Sequence, residues 1–98
     1  MKLIDLNPQM VTPHLIVFLC PHCREVLLSV KDIVMSQSEQ MDAFDTKLGT
    51  PWPMPVVGCK PEMAWSISGN FETMTVLPSL DASASGHWHG FIRNGEIV

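Results

Sequence analysis

Charge is what this chain has least of. Acidic and basic side chains make up 16% of its 98 residues, against 46% hydrophobic ones, a balance that excludes a disordered chain and leaves apolar surface to be covered by a protein partner or a second copy in a homodimer. The basic residues Lys2, Arg24, Lys31, Lys47, Lys60 and Arg93 stand singly, in a chain of net charge −4. No basic stripe exists to neutralise a phosphate backbone, so nucleic acid is not an expected partner. A long apolar run is missing as well. Asp5 and Pro8 interrupt the first hydrophobic stretch, so neither a secretory signal nor a membrane span is expected, and the cytoplasm is the expected compartment.

Cysteine is sparse, and its count is odd. Cys20, Cys23 and Cys59 are the three thiols, too few and wrongly numbered for a disulfide framework, and in a reducing compartment they read as thiolate ligands. Also absent are internal repeats, a glycine-rich phosphate loop, a Ser-His-Asp arrangement and paired catalytic carboxylates. The chain is therefore expected to be non-enzymatic, with no catalytic residue assigned.

What is present is strand pattern. Lys2–Leu6 and His14–Leu19 read as short strands, and Glu25–Val30 is again rich in aliphatic and β-branched residues, which places Cys20–Cys23 at a hairpin tip. Ser36 with Glu39 forms a capping box, Met41, Phe44 and Leu48 share one helical face, and Gly49 with Pro51 stops the helix, so one helix is expected at 37–48 with that stripe as its buried face. The stretch 50–61 holds four prolines and is expected to be an ordered loop, with Trp52 and Met54, like Trp88 later, exposed for a partner. Ala64–Ser68 and Phe71–Leu77 alternate with period two around Gly69-Asn70, a hairpin. Asp81–Gly86 is a stretch of small residues, His87–Ile92 a strand, Asn94-Gly95 a tight turn and Glu96–Val98 a last strand. One mainly antiparallel β domain over 1–98 results, zinc-ribbon-like at its first hairpin, with the helix and proline-rich loop inserted at about 31–61.

The chemistry gathers at Cys20-Pro21-His22-Cys23. Side chains two apart on a strand share a face, so His87 and His89 can approach one ion while Trp88 points away. Two thiolates and two imidazoles form the tetrahedral set of a structural Zn2+ site, and two thiolates neutralise the ion. Cys59, preceded by Gly58, is the alternative ligand. His22 and His14 read as structural. Two enzymatic alternatives remain: a metal-dependent hydrolase using Glu25, Glu72 or Asp81 as base, and a thiol redox protein, because Cys-Pro-His-Cys resembles the redox pair of DsbA-like oxidoreductases. The strand-like residues after Cys23, a Thr50-Pro51 that follows too closely, and a terminal hairpin where that fold needs a helix oppose the second.

The order Cys20-Pro21-His22-Cys23, Trp65 with Gly69-Asn70-Phe71-Glu72, Thr75-x-x-Pro78-Ser79-Leu80, His89-Gly90-Phe91-Ile92 and Asn94-Gly95-Glu96-Ile97 resembles a family of small phage and bacterial β proteins. In phage genomes they are often labelled ammonia monooxygenase-like, a label that carries no mechanism. The resemblance covers residues 15–30 and 63–98. It implies a compact β domain with zinc at the Cys pair and the late histidine, a phage or prophage origin, action in the host cytoplasm, and a role such as inhibition of a host or defence protein. Many of these relatives carry a cysteine beside the late histidine, where this chain has His87 two residues earlier.

Overall fold

The apolar run after His14 forms strand β2 (Leu15–Leu19), and its alternation sets the architecture. The structure, a computed structural model, describes residues 1–58 and 60–98. Leu15 and Val17 pack to one side with Leu27, Met35 and Phe44. Ile16, Phe18 and Cys20 pack to the other with Leu28, Val30, Trp65, Met74, Val76, Leu80 and Ile92. A strand buried on both faces has no polar side to show, which is why the run is unbroken.

Among the described residues, two four-stranded sheets and one α-helix make the layers. In the first sheet β1 (Gln9–Thr12), β2 and β3 (Leu27–Lys31) are antiparallel, and β4 (Val56–Val57) joins β3 in parallel. The second is an antiparallel meander of β5 (Ser66–Ser68), β6 (Thr75–Asp81), β7 (His89–Arg93) and β8 (Glu96–Ile97). Helix α1 (Gln37–Leu48) covers the face of the first sheet that the second sheet leaves open. The domain is thus mainly β with one helix, as the sequence pattern predicts.

Helix α1 starts at the expected box: Ser36 Oγ accepts from the Glu39 amide at 3.1 Å, and Glu39 Oε1 accepts from the Ser36 amide at 3.2 Å. Its buried side differs from the predicted stripe. Phe44 is buried, but Met41 is 46% exposed and Gln40 is fully buried in its place. Gln40 Nε2 donates to the Met35 carbonyl at 3.1 Å, a local bond that lets a polar residue face the sheet. Trp52 closes this layer, edge-on to Phe44 at 5.5 Å with its indole N–H on Asp45 at 2.6 Å.

Other expectations need correction. Leu3–Leu6 is a 3-10 turn rather than a strand, because that turn brings Leu3 and Leu6, three apart, onto one side where both are buried. Gln9–Thr12 supplies the edge strand instead. The β5–β6 connection spans 69–74 rather than Gly69-Asn70 alone, since Ser68 pairs with Thr75. Asn70 Oδ1 accepts from the amides of Glu72 and Thr73 at 2.9 and 3.1 Å, holding a wider turn. Strand β6 also continues through Pro78 to Asp81, with a bulge between Val76, opposite Ile92, and Leu80, opposite Gly90. The Asn94-Gly95 turn is as expected, both residues at positive φ, and a Cβ on Gly95 would collide with the Glu72 carbonyl. Among the described residues no helix is long and apolar enough to cross a membrane.

Candidate metal centre

Alternation along β2 aims Cys20 inward with Ile16 and Phe18, toward the second sheet, where it is fully buried. The chain then turns sharply. The Arg24 amide donates to the Cys20 carbonyl at 2.9 Å, Arg24 takes the left-handed φ of 58°, and the Cys20 amide donates to Val26 at 3.0 Å to start β3. Cys23 rides on this turn, half-buried, its Sγ accepting from the Glu25 amide at 3.5 Å.

Burial pushes the Cys20 thiol pKa up, but donors outweigh it. The backbone amides of Cys23, Trp88 and His22 and the Cys23 thiol all point at its sulfur, and the group lies below its ordinary 9.0. Convergent N–H groups favour the thiolate, the form that binds metal.

The second sheet contributes His87. A 3-10 turn (Ser83–Ser85) ends at Gly86, the His87 amide donates to Ala82 at 3.0 Å, and the Ala82 amide to Trp88 at 3.0 Å. Trp88 then drives its ring into the seam between the sheets, edge-on to Phe18 at 6.3 Å. His87 is thereby set beside the thiols, with Nδ1 3.6 Å from Cys23 Sγ. Zinc bonds of about 2.3 Å to sulfur and 2.0–2.1 Å to nitrogen, opened to a tetrahedral angle, put such a pair about 3.6 Å apart. The ligand atoms of Cys20, Cys23 and His87 all lie within 4.8 Å of one another, close enough to hold one metal ion.

His89 does not join this group. It is exposed and begins β7 opposite Asp81. The shared-face expectation assumed a strand through both histidines, whereas His87 precedes the strand, where period two does not apply. Cys59 lies outside the described residues. His22 is exposed at the turn, and His14 bonds Asp32 at 2.9 Å on the surface. Glu25 and Glu72 are exposed. The Asp81 carboxylate is committed to Ser83, whose hydroxyl and amide hold its pKa below 3.8 with smaller help from the charges of His89 and Lys60. The element that directly follows the Cys20–Cys23 turn is strand β3 and not the helix whose N-terminus would act on the first thiol of a DsbA-like pair.

Trp52, Met54 and Trp88 are not the exposed surface expected of them. All three are half-buried and packed on the core clusters. Sequence reasoning also missed Trp88 as the anchor of His87. The signal was Gly90, which leaves room for the indole: a Cβ there would come within 2.6 Å of its Cζ2 and collide with the Val98 carbonyl.

Comparisons with family models, with curated proteins and with solved structures returned no match.

Proposed function

We propose that the chain is a non-enzymatic, zinc-stabilised protein-binding module. One observation carries this reading: Cys20 and Cys23 belong to a hairpin of the first sheet, His87 to the approach to β7 in the second, and their donors converge. An ion there ties the first hairpin to the approach to β7, adding its own bonds to the apolar core between the two layers. Two soft thiolates and an imidazole suit zinc and leave little net charge to bury. The partner-binding half of the proposal is supported by the low charge density and by Ile33 and Val34, adjacent and 43% and 66% exposed, in the β3–α1 connection. The phage or prophage setting, with a host or defence protein as partner, rests on the family resemblance.

A Cys2His set also leaves a coordination position, and this favours the hydrolase as second reading. Cobalt substitution decides between them. The visible spectrum of a closed four-protein-ligand site, unchanged by added azide, supports the structural role, and a spectrum that azide shifts supports an open one. For the partner, affinity capture from bacterial lysate is expected to yield one stoichiometric protein that Val34→Asp loses; no stoichiometric partner contradicts the binding role.

A further inference from the structure

Cys20 and Cys23 share one turn but differ in access. Cys20 is fully buried, while Cys23 reaches the surface with His87 Nδ1 3.6 Å from its sulfur. The two sulfurs lie within 4.8 Å of each other on that turn, near enough for a small movement of the turn to bring them to the roughly 2.05 Å of a disulfide. The turn between them is fixed by the Arg24 amide on Cys20 at 2.9 Å. An accessible sulfur backed by a buried one is the arrangement of an attacking and a resolving cysteine.

We infer that hydroperoxides oxidise this pair in a fixed order, Cys23 first and Cys20 second, and that the resulting disulfide expels the metal and releases His87. The metal part rests on the zinc reading above; the sulfur chemistry does not. The Cys23 thiolate attacks the terminal peroxide oxygen, an S–O bond forms, the O–O bond breaks, and the departing hydroxide, or alkoxide from an organic hydroperoxide, takes a proton from solvent to leave as water or alcohol. The Cys20 thiolate then attacks the Cys23 sulfur, the S–S bond forms, the S–O bond breaks, and a second proton carries the oxygen away as water. Two electrons pass from the sulfurs to the peroxide. Disulfide sulfur carries no thiolate charge, so the ion keeps only His87 and departs. The segment from Ala82 to Trp88 then loses its metal tie to the first hairpin, and the seam between the sheets is left to the apolar core and to the Trp65 amide on the Lys31 carbonyl at 2.8 Å.

Zinc-loaded wild type and Cys59→Ser test this with small molar excesses of hydrogen peroxide. Unreduced peptide maps follow the sulfurs, a chromogenic chelator follows zinc, and dimedone in a parallel sample traps sulfenic acid. The expected result is a 20–23 bridge with loss of two hydrogens, one zinc released per bridge, dimedone on Cys23 rather than Cys20, and full recovery with dithiothreitol and zinc. Sulfinic or sulfonic acid at Cys23 without a bridge, dimedone on Cys20, or bridging with zinc retained overturns the inference. A chain that bridges in this order but never binds zinc contradicts the zinc reading and upholds the sulfur chemistry. A chain that holds zinc and never bridges does the reverse.

Discussion

Cys23 Sγ and His87 Nδ1 meet at 3.6 Å across 64 positions of sequence. One sits in the β2–β3 turn, the other in the β6–β7 connection, so the contact joins two sheets that share no strand. Closing so long a loop costs chain entropy, and an ion bonded at both ends opposes that cost. The relation makes the proposed site a fastening, and the consequences below follow from it.

The two late histidines should separate. His87→Ala is expected to weaken zinc binding by more than the roughly 10–100-fold typical of outer-shell losses, while His89→Ala stays within a few fold of wild type. Competition titration with a calibrated chelator measures both. Equal losses would mean that the His87 contact is not the ligating one.

Gly90→Ala tests the anchor rather than the ligands. The new methyl meets the Trp88 ring and the Val98 carbonyl, which should cost about 1–3 kcal/mol by overpacking. Displacing Trp88 shifts His87 beside it, so zinc affinity should fall as well, by about 10–100-fold. Urea unfolding with zinc titration reads both effects. A destabilised variant with wild-type affinity would show that Trp88 does not position His87.

Phe44→Ala probes the opposite layer. Its ring is fully buried under α1 beside Trp52, and its loss should cost about 3–5 kcal/mol. Zinc stoichiometry should be unchanged, because that cluster lies on the far face of the first sheet from Cys20. Denaturant midpoints and metal content on the same preparation check the pair of expectations.

These layers explain what could be read from sequence. Helix α1 was legible because Ser36, Glu39 and Gly49 act locally, and the Cys20–Cys23 turn because two strands of matching pattern flank it. The buried face of α1 was not, since Gln40 is polar and is accepted only through a bond to Met35. Leu3–Leu6 is too short for its apolar residues to declare a period, and only the core that takes both Leu3 and Leu6 selects the 3-10 turn over a strand, which would put them on opposite faces. His87 was legible as a candidate ligand, but the shared strand face is not what brings it to the thiols; it precedes β7 beside Trp88, whose packing against Phe18 is a tertiary fact. The same packing removes Trp88 from the surface, which composition alone cannot show.

The Asp81 carboxyl gives a pH signature at the same connection. Its pKa is depressed below 3.8 by the Ser83 hydroxyl and amide. A depressed acid stabilises the fold above its unfolded value and loses that contribution as pH falls through the folded one, so the window lies below about pH 4. Ser83→Ala should raise the carboxyl pKa toward 3.8, observed by carboxyl carbon NMR titration. No upward movement would show that the hydroxyl bond is not what holds it.

Metal content against folding tests the central claim most directly. A structural zinc ion contributes about 10–16 kcal/mol of binding free energy, comparable with or above the roughly 5–15 kcal/mol net stability of a domain. Wild type should purify with one zinc per chain and lose its cooperative melting transition when a strong chelator removes the ion, and Cys20→Ser should carry no zinc and show no such transition. Cys20→Ser holding a full equivalent of zinc and melting like wild type would contradict the account.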